Sequence, residues 1–143
     1  MFRGITDISL DGRGRMAMPT RYREKLRERS GGRLVITIAR HDPCLHVYAE
    51  RDWQAVEEDL IDRDGDDRES RRQQHMLIGF AADVELDGNG RVVIPQRLRD
   101  YAQLEKKVVV VGQPMRLELW DDKTWEANVN SWREDANQSI GGG

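Results

Sequence analysis

Apolar positions at Ile5, Ile8 and Leu10, set among Thr6, Asp7 and Ser9, predict a strand. Asp11-Gly12-Arg13-Gly14 follows as a tight turn, because glycine takes the positive φ that such turns demand. Arg15 to Met18 resumes extended structure and is expected to form the second arm of a hairpin. Pro19 then opens a helix running to Arg29, where its missing N–H costs nothing. That helix places Tyr22 and Leu26 on one face, with Arg21, Lys25, Arg23 and Arg27 flanking them. Ser30-Gly31-Gly32 ends it. Leu34 to Ile38 is β-branched and predicts a strand, and His41-Asp42-Pro43 turns the chain into a second one, Leu45 to Tyr48. Asp52 is expected to cap a helix bearing Trp53, Val56 and Leu60 on one side.

The pattern then repeats. Shifted by 76 residues, Asp11 to Arg23 returns as Asp87 to Arg99, with Asp, both Gly, Pro and three Arg in place. An acidic, Gly-containing linker over 62–67 and a helix over roughly 68–79 lead into this second copy. It replays strand (84–86), turn (87–90), strand (91–94) and helix (95–102). Strands at 108–111 and 117–120 follow, with Asp121 or Asp122 capping a last helix in which Trp125 corresponds to Trp53. Each copy is too small to bury enough surface alone, so the two are expected to pack on each other. The fold class expected is α+β and β-rich, with pseudo-twofold symmetry. The expected divisions are a first module at 1–51, a helical connector at 52–79, a second module at 80–125, and a C-terminal helix end with a disordered tail at 126–143.

Charge changes the picture. The net charge is −3, which taken alone argues against a polyanionic partner. Yet residues 1–29 carry eight basic side chains against four acidic ones, and residues 50–67 carry nine acidic against two basic. Fields act over about 8 Å at physiological salt, so a basic segment can hold a polyanion within an acidic protein. No apolar run approaches the roughly 20 residues of a membrane span. The start of the chain lacks the apolar core of a signal peptide. One cysteine, Cys44, excludes an internal disulfide framework. A cytoplasmic protein with no membrane partner is expected.

The turns carry the candidate chemistry. A hairpin turn accounts for Asp and Gly but not for the arginine after each turn, nor for Arg13 and Arg15 straddling Gly14. Residues two apart in extended chain point the same way, so Arg13 and Arg15 are expected to project together, with Arg21 and Arg23 arriving from the helix start. The second copy offers Arg91, Arg97 and Arg99, but Asn89 where the first has Arg13. Such clusters suit double-stranded DNA. Arginine reads guanine O6 and N7 bidentately, at about 1–3 kcal/mol of discrimination per good pair.

Met1-Phe2-Arg3-Gly4, the Asp-x-x-Gly-Arg turn in both copies, Pro19-Thr20-Arg21-Tyr22-Arg23 and Leu119-Trp120-Asp121 together resemble, in order, the MraZ transcriptional regulator family. The likeness covers residues 1–132. It implies two tandem AbrB-like (SpoVT-like) modules of swapped-hairpin, double-split β-barrel type, and a non-enzymatic DNA-binding regulator located in the cytoplasm and nucleoid. It further implies a ring-shaped homo-oligomer, usually a repressor, that binds repeated G-rich boxes ahead of the cell-division and cell-wall gene cluster containing its own gene. The arginine of the turn carries DNA binding in the family, which maps to Arg15 and Arg91. Asn89 departs from a basic residue there.

Other chemistries fit less well. His41-x-x-Cys44-x-His46 has the look of a metal site, but a closed zinc site needs a second ligand pair and no other cysteine exists. Asp62-x-Asp64-Gly65-Asp66 and Asp83-x-Glu85-x-Asp87-Gly88 resemble calcium loops, yet position twelve would be Gln73 or Ile94. The glycine turns lack the lysine of phosphate-cradling loops. No catalytic constellation, cofactor, metal or small-molecule substrate is expected. Trp53, Trp120, Trp125 and Trp132 are expected to anchor the core or a subunit interface. The rival reading is a structural homo-oligomerisation module without direct DNA readout, and a more distant one is an enzyme acting on a phosphorylated ligand.

Overall fold

The computed structural model describes residues 1–62 and 67–141, with side chains through 138. Residues 63–66 of the expected acidic linker, and Gly142 and Gly143 of the expected tail, lie outside the described residues. The first copy comprises β1 (Ile5–Ser9), β2 (Arg15–Ala17), α1 (Thr20–Ser30), β3 (Arg33–Ile38), β4 (Leu45–Ala49) and α2 (Glu50–Asp62). A short α3 (Arg68–Gln73) runs into a π-helical turn (Gln74–Ile78). The second copy comprises β5 (Ala82–Glu85), β6 (Arg91–Val93), α4 (Gln96–Tyr101), β7 (Lys107–Gly112), β8 (Leu117–Asp121) and α5 (Asp122–Gly141).

Strand pairing corrects one expectation. β1 and β2 touch at a single bridge, Leu10 to Met16, and form no ladder together. β2 instead pairs antiparallel with β6 of the other copy, Met16 opposite Val92. β1 pairs with β7, and β5 pairs with β3, so each copy completes the other. The result is a six-stranded sheet in the order β1-β7-β8-β4-β3-β5, plus a separate two-stranded ribbon, β2-β6. Exchanging the repeats maps this order onto itself. A local pattern cannot reveal such an exchange, because either partner satisfies the same alternation.

The main core lies between the sheet, the ribbon, α1 and α4. Leu34, Ile36, Leu45, Val47, Val108, Val110, Leu117 and Leu119 meet Met16, Met18, Val92 and Ile94 from the ribbon side. Tyr22 and Leu26 of α1 and Leu98 and Ala102 of α4 close it. The other sheet face is covered too: Trp53 of α2 packs on Val35 and Tyr48, and Trp125 of α5 packs on Val109, Val111 and Trp120. Covering on both faces explains why β3 reads as an unbroken apolar run, since every side chain after Arg33 is buried.

Helix ends follow simple rules, with two departures. α1 stops at Gly31, whose left-handed φ of 63° lets its N–H reach the Arg27 carbonyl at 2.7 Å. Asp121 caps α5, accepting the Lys123 N–H at 3.2 Å. Asp52 is not a cap: α2 begins at Glu50, and Asp52 instead accepts from Arg29 Nε at 2.7 Å. α5 also continues past Trp132, where the composition turns polar, as far as Gly141. No described helix is long and apolar enough to cross a membrane.

Candidate nucleic-acid interface

The ribbon is built to show one face outward. Met16 and Val92 point into the core, while Arg15, Ala17, Arg91 and Val93 point out. Arg15 stands opposite Val93 and Arg91 opposite Ala17, so the two arginines lie diagonally on the exposed face and are related by the pseudo-twofold axis. The two glycine turns extend from opposite ends of this ribbon, with Arg13 and Asn89 exposed at their tips.

Each turn is fixed by its aspartate. Asp11 Oδ1 accepts the backbone N–H groups of Arg13 and Arg15, both at 2.9 Å. Asp87 does the same for Asn89 at 2.8 Å and Arg91 at 2.9 Å. The backbone N–H of Arg15, with lesser help from its guanidinium and from the Arg13 N–H, lowers the Asp11 carboxyl to about 2. The Arg91 N–H likewise leads in holding Asp87 below the usual carboxylate range. Both aspartates therefore stay ionised at neutral pH and keep the turns closed. Arg15 Nε also meets Asp11 Oδ2 at 2.9 Å, an exposed pair of little energetic weight. That contact runs through Nε, so it does not consume the two terminal nitrogens.

The helix-start arginines divide. Arg23 Nε donates to the Met18 carbonyl at 2.6 Å and lies against Gly90 of the other copy. Arg99 Nε donates to the Ile94 carbonyl at 2.9 Å and lies against Gly14. These symmetric braces, with Met18 N–H to Gly90 O at 2.9 Å and Ile94 N–H to Gly14 O at 2.7 Å, lock each turn to the opposite module. They also fix the glycines. At Gly14 (φ 82°) a Cβ would stand 2.6 Å from the Ile94 carbonyl oxygen, and Gly90 (φ 76°) is equally closed by Arg23. Arg21 folds back to donate to the Thr6 hydroxyl, with its Cζ 4.9 Å from the Tyr22 ring centroid. Arg97 is exposed at the start of α4. The ribbon thus brings Arg15 and Arg91 to one surface, Arg13 is exposed at the tip of the first turn, and Arg21, Arg23 and Arg99 are engaged within the fold. The bracing role left no mark in local sequence, because the glycines that Arg23 and Arg99 lie against come from the opposite copy, although their carbonyl acceptors are only five residues away.

A second cluster sits on the other side of the sheet. Cys44, just before β4, His46 of β4 and Glu118 of β8 place their donor atoms within 4.8 Å of one another. The sequence pattern had offered His41, Cys44 and His46; the structure replaces His41 with Glu118, which lies directly opposite His46. His46 Nε2 is 3.4 Å from Glu118 Oε2, and Trp120 Nε1 donates to Glu118 Oε1 at 3.0 Å. Burial works against ionising Glu118, but these bonds outweigh it and hold the carboxyl below its ordinary value. Burial raises the Cys44 thiol, and Glu118 and Asp42 add to the effect. A neutral thiol beside a carboxylate already held by His46 and Trp120 is accounted for as a join between the two repeats.

Comparison with known proteins agrees with this architecture. The family model described as "MraZ protein, putative antitoxin-like" matches twice, over residues 1–76 and 77–139. A protein of Thioalkalivibrio sulfidiphilus named transcriptional regulator MraZ is 48% identical over 140 residues, covering 98% of this chain and 93% of the relative. Its namesake in Alkalilimnicola ehrlichii is 49% identical over 138 residues, covering 96% and 92%. That of Pseudomonas aeruginosa is 50% identical over 127 residues, covering 89% and 84%. With a repeat match across nearly the whole chain and half of all positions shared with these relatives, the chain belongs to the MraZ family of transcriptional regulators, which are not enzymes.

Proposed function

We propose that the protein binds double-stranded DNA sequence-specifically through the outer face of the β2-β6 ribbon. The observation that carries this reading is the pair of symmetry-related arginines, Arg15 and Arg91, exposed on a two-stranded ribbon flanked by rigid turns. The major groove admits a two-stranded ribbon, and bidentate arginine contacts select guanine. Arg13 extends the readout at the first turn. Arg97 lies exposed for phosphate contact, and Arg21, Arg23 and Arg99 act chiefly by holding turns and helix starts in place, with any phosphate contact secondary.

Residues 1–51 and 80–125 act as one intertwined unit, joined by 52–79 and followed by 126–143. The protein assembles into a ring of identical subunits, with the acidic 50–67 segment facing away from DNA. It represses the cell-division and cell-wall gene cluster that contains its own gene, by engaging repeated G-rich boxes from the cytoplasm and nucleoid. One protomer presents few base contacts, so affinity arises from several subunits on neighbouring boxes. Footprinting on the DNA upstream of its own gene tests this. Protection over G-rich repeats that fades steeply with salt is expected; no protection, or protection insensitive to salt, overturns the reading.

A further inference from the structure

Three arginine pairs recur between the copies: Arg15 with Arg91, Arg21 with Arg97, and Arg23 with Arg99. Two positions break the rule, both by losing the cation in the second copy. The first turn has Arg13 at its tip and the second has Asn89. At the same 76-residue spacing, α1 has Arg27 where the second copy has Gln103. Both cations therefore belong to the first copy, and the second copy carries neither.

The exchange of strands brings one of them, Arg27, to the second turn, so that each turn is left with one cation. Arg27, in the last turn of α1, donates through Nη2 to the Asp87 carbonyl at 3.1 Å. A guanidinium of the first module thus sits at the base of the second turn, the turn that lacks its own. Its charge contributes, last among several causes, to keeping the Asp87 carboxyl low. Arg27 is exposed, and a solvent-facing bond of this kind adds little stability. The end of α1 does not need it, since Gly31 already terminates the helix. Arg23 differs: it is half-buried, with Nε spent on the Met18 carbonyl.

On the DNA-binding reading above, position within the turn decides what a cation can do. A side chain at the tip of a ribbon turn leads into the groove and can reach base edges. A guanidinium anchored at the base of a turn lies at the level of the sugar–phosphate backbone, where contacts position without reading sequence. We propose that Arg27 supplies the second turn with a phosphate contact in place of a tip arginine, so that each protomer engages its box with a direction, reading bases at the first turn and holding backbone at the second.

The test uses the full-length protein and fluorescence anisotropy across a salt series. One duplex carries the G-rich repeats and another has the same composition scrambled. Arg27→Ala is expected to weaken both duplexes by the same factor and to make the log–log salt slope shallower by about 0.9 per protomer contact. Arg13→Ala is expected to weaken the boxed duplex more than the scrambled one. Adding Asn89→Arg to Arg27→Ala is expected to favour the boxed duplex without restoring the slope, since a tip arginine reaches base edges. Alanine is a good helix former, so melting is expected to be unchanged. An unaltered salt slope in Arg27→Ala, or a loss confined to the boxed duplex, overturns the proposal. Arg15→Ala separates the two levels: if it abolishes binding while Arg27→Ala is silent, only the Arg27 assignment is lost. If the wild type shows no salt-dependent binding to either duplex, the DNA-binding reading is lost with it.

Discussion

The pseudo-twofold axis passes through two places where equivalent residues of the two copies meet, and they have diverged in opposite ways. In the ribbon, Met16 faces Val92, and the arginines beside them are kept in both copies. In the sheet, His46 faces Glu118. The registers of β3 with β4 and of β7 with β8 make these two positions equivalent, as Ala49 faces Leu34 while Asp121 faces Val108. A symmetric pair of separate chains would have to place two histidines or two glutamates there. Joining the copies in one chain allows a complementary pair instead. Symmetry is kept on the outer face of the ribbon and given up inside, where a histidine–carboxylate contact ties the halves together.

Removing Glu118 tests the inner half of that comparison and is expected to have the largest effect on stability. Glu118→Ala leaves the Trp120 indole N–H and His46 without their acceptor in a site from which water is largely excluded. A loss of about 3 kcal/mol is expected, read from urea denaturation at neutral pH. An unchanged midpoint would show that the seam contributes nothing.

The turns respond to acid rather than to truncation of the core. Asp11 is lowered to about 2 in the folded protein from an ordinary value of 3.8. Its contribution is present in full above about pH 4 and is lost as pH falls through about 2, because the unfolded chain takes up the proton first. Asp87 follows in the same direction. Asp11→Asn is expected to remove part of the acid dependence of the melting temperature between those limits. An identical acid profile in the variant would contradict the role given to the carboxylate.

The smallest effect concerns Cys44, which is fully buried, with its thiol raised by burial. A thiol reagent is expected to modify it only as fast as the protein unfolds, since the thiolate is the reactive form. Rapid labelling under native conditions would show that the region between β3 and β4 opens independently.

Much of this was legible in the sequence because it is local. The repeat, the turns, the strand–strand–helix order and the shared face of Tyr22 and Leu26 all follow from spacing and composition. What was not legible depends on contacts between the copies. The exchange of β2 onto β6 looks the same as a hairpin to any alternation rule. The braces from Arg23 and Arg99 need the opposite module's turn beside them. Glu118 could have been found only by aligning β4 with β8, where the repeat spacing shortens and the residue type changes. Asp52 looked like a cap because it precedes an apolar helical face, yet Arg29 on α1 took its carboxylate.

On the proposed reading the outer face of the ribbon meets DNA while its inner face serves the fold. The most direct measurement compares duplex affinity, assembly state and melting temperature for the wild type and Arg15→Ala. Affinity for the boxed duplex is expected to fall by about 1–3 kcal/mol per lost contact. Assembly is expected to survive, with stability within about 0.5 kcal/mol of the wild type. Undiminished affinity, or a particle that falls apart while DNA binding persists, would contradict it.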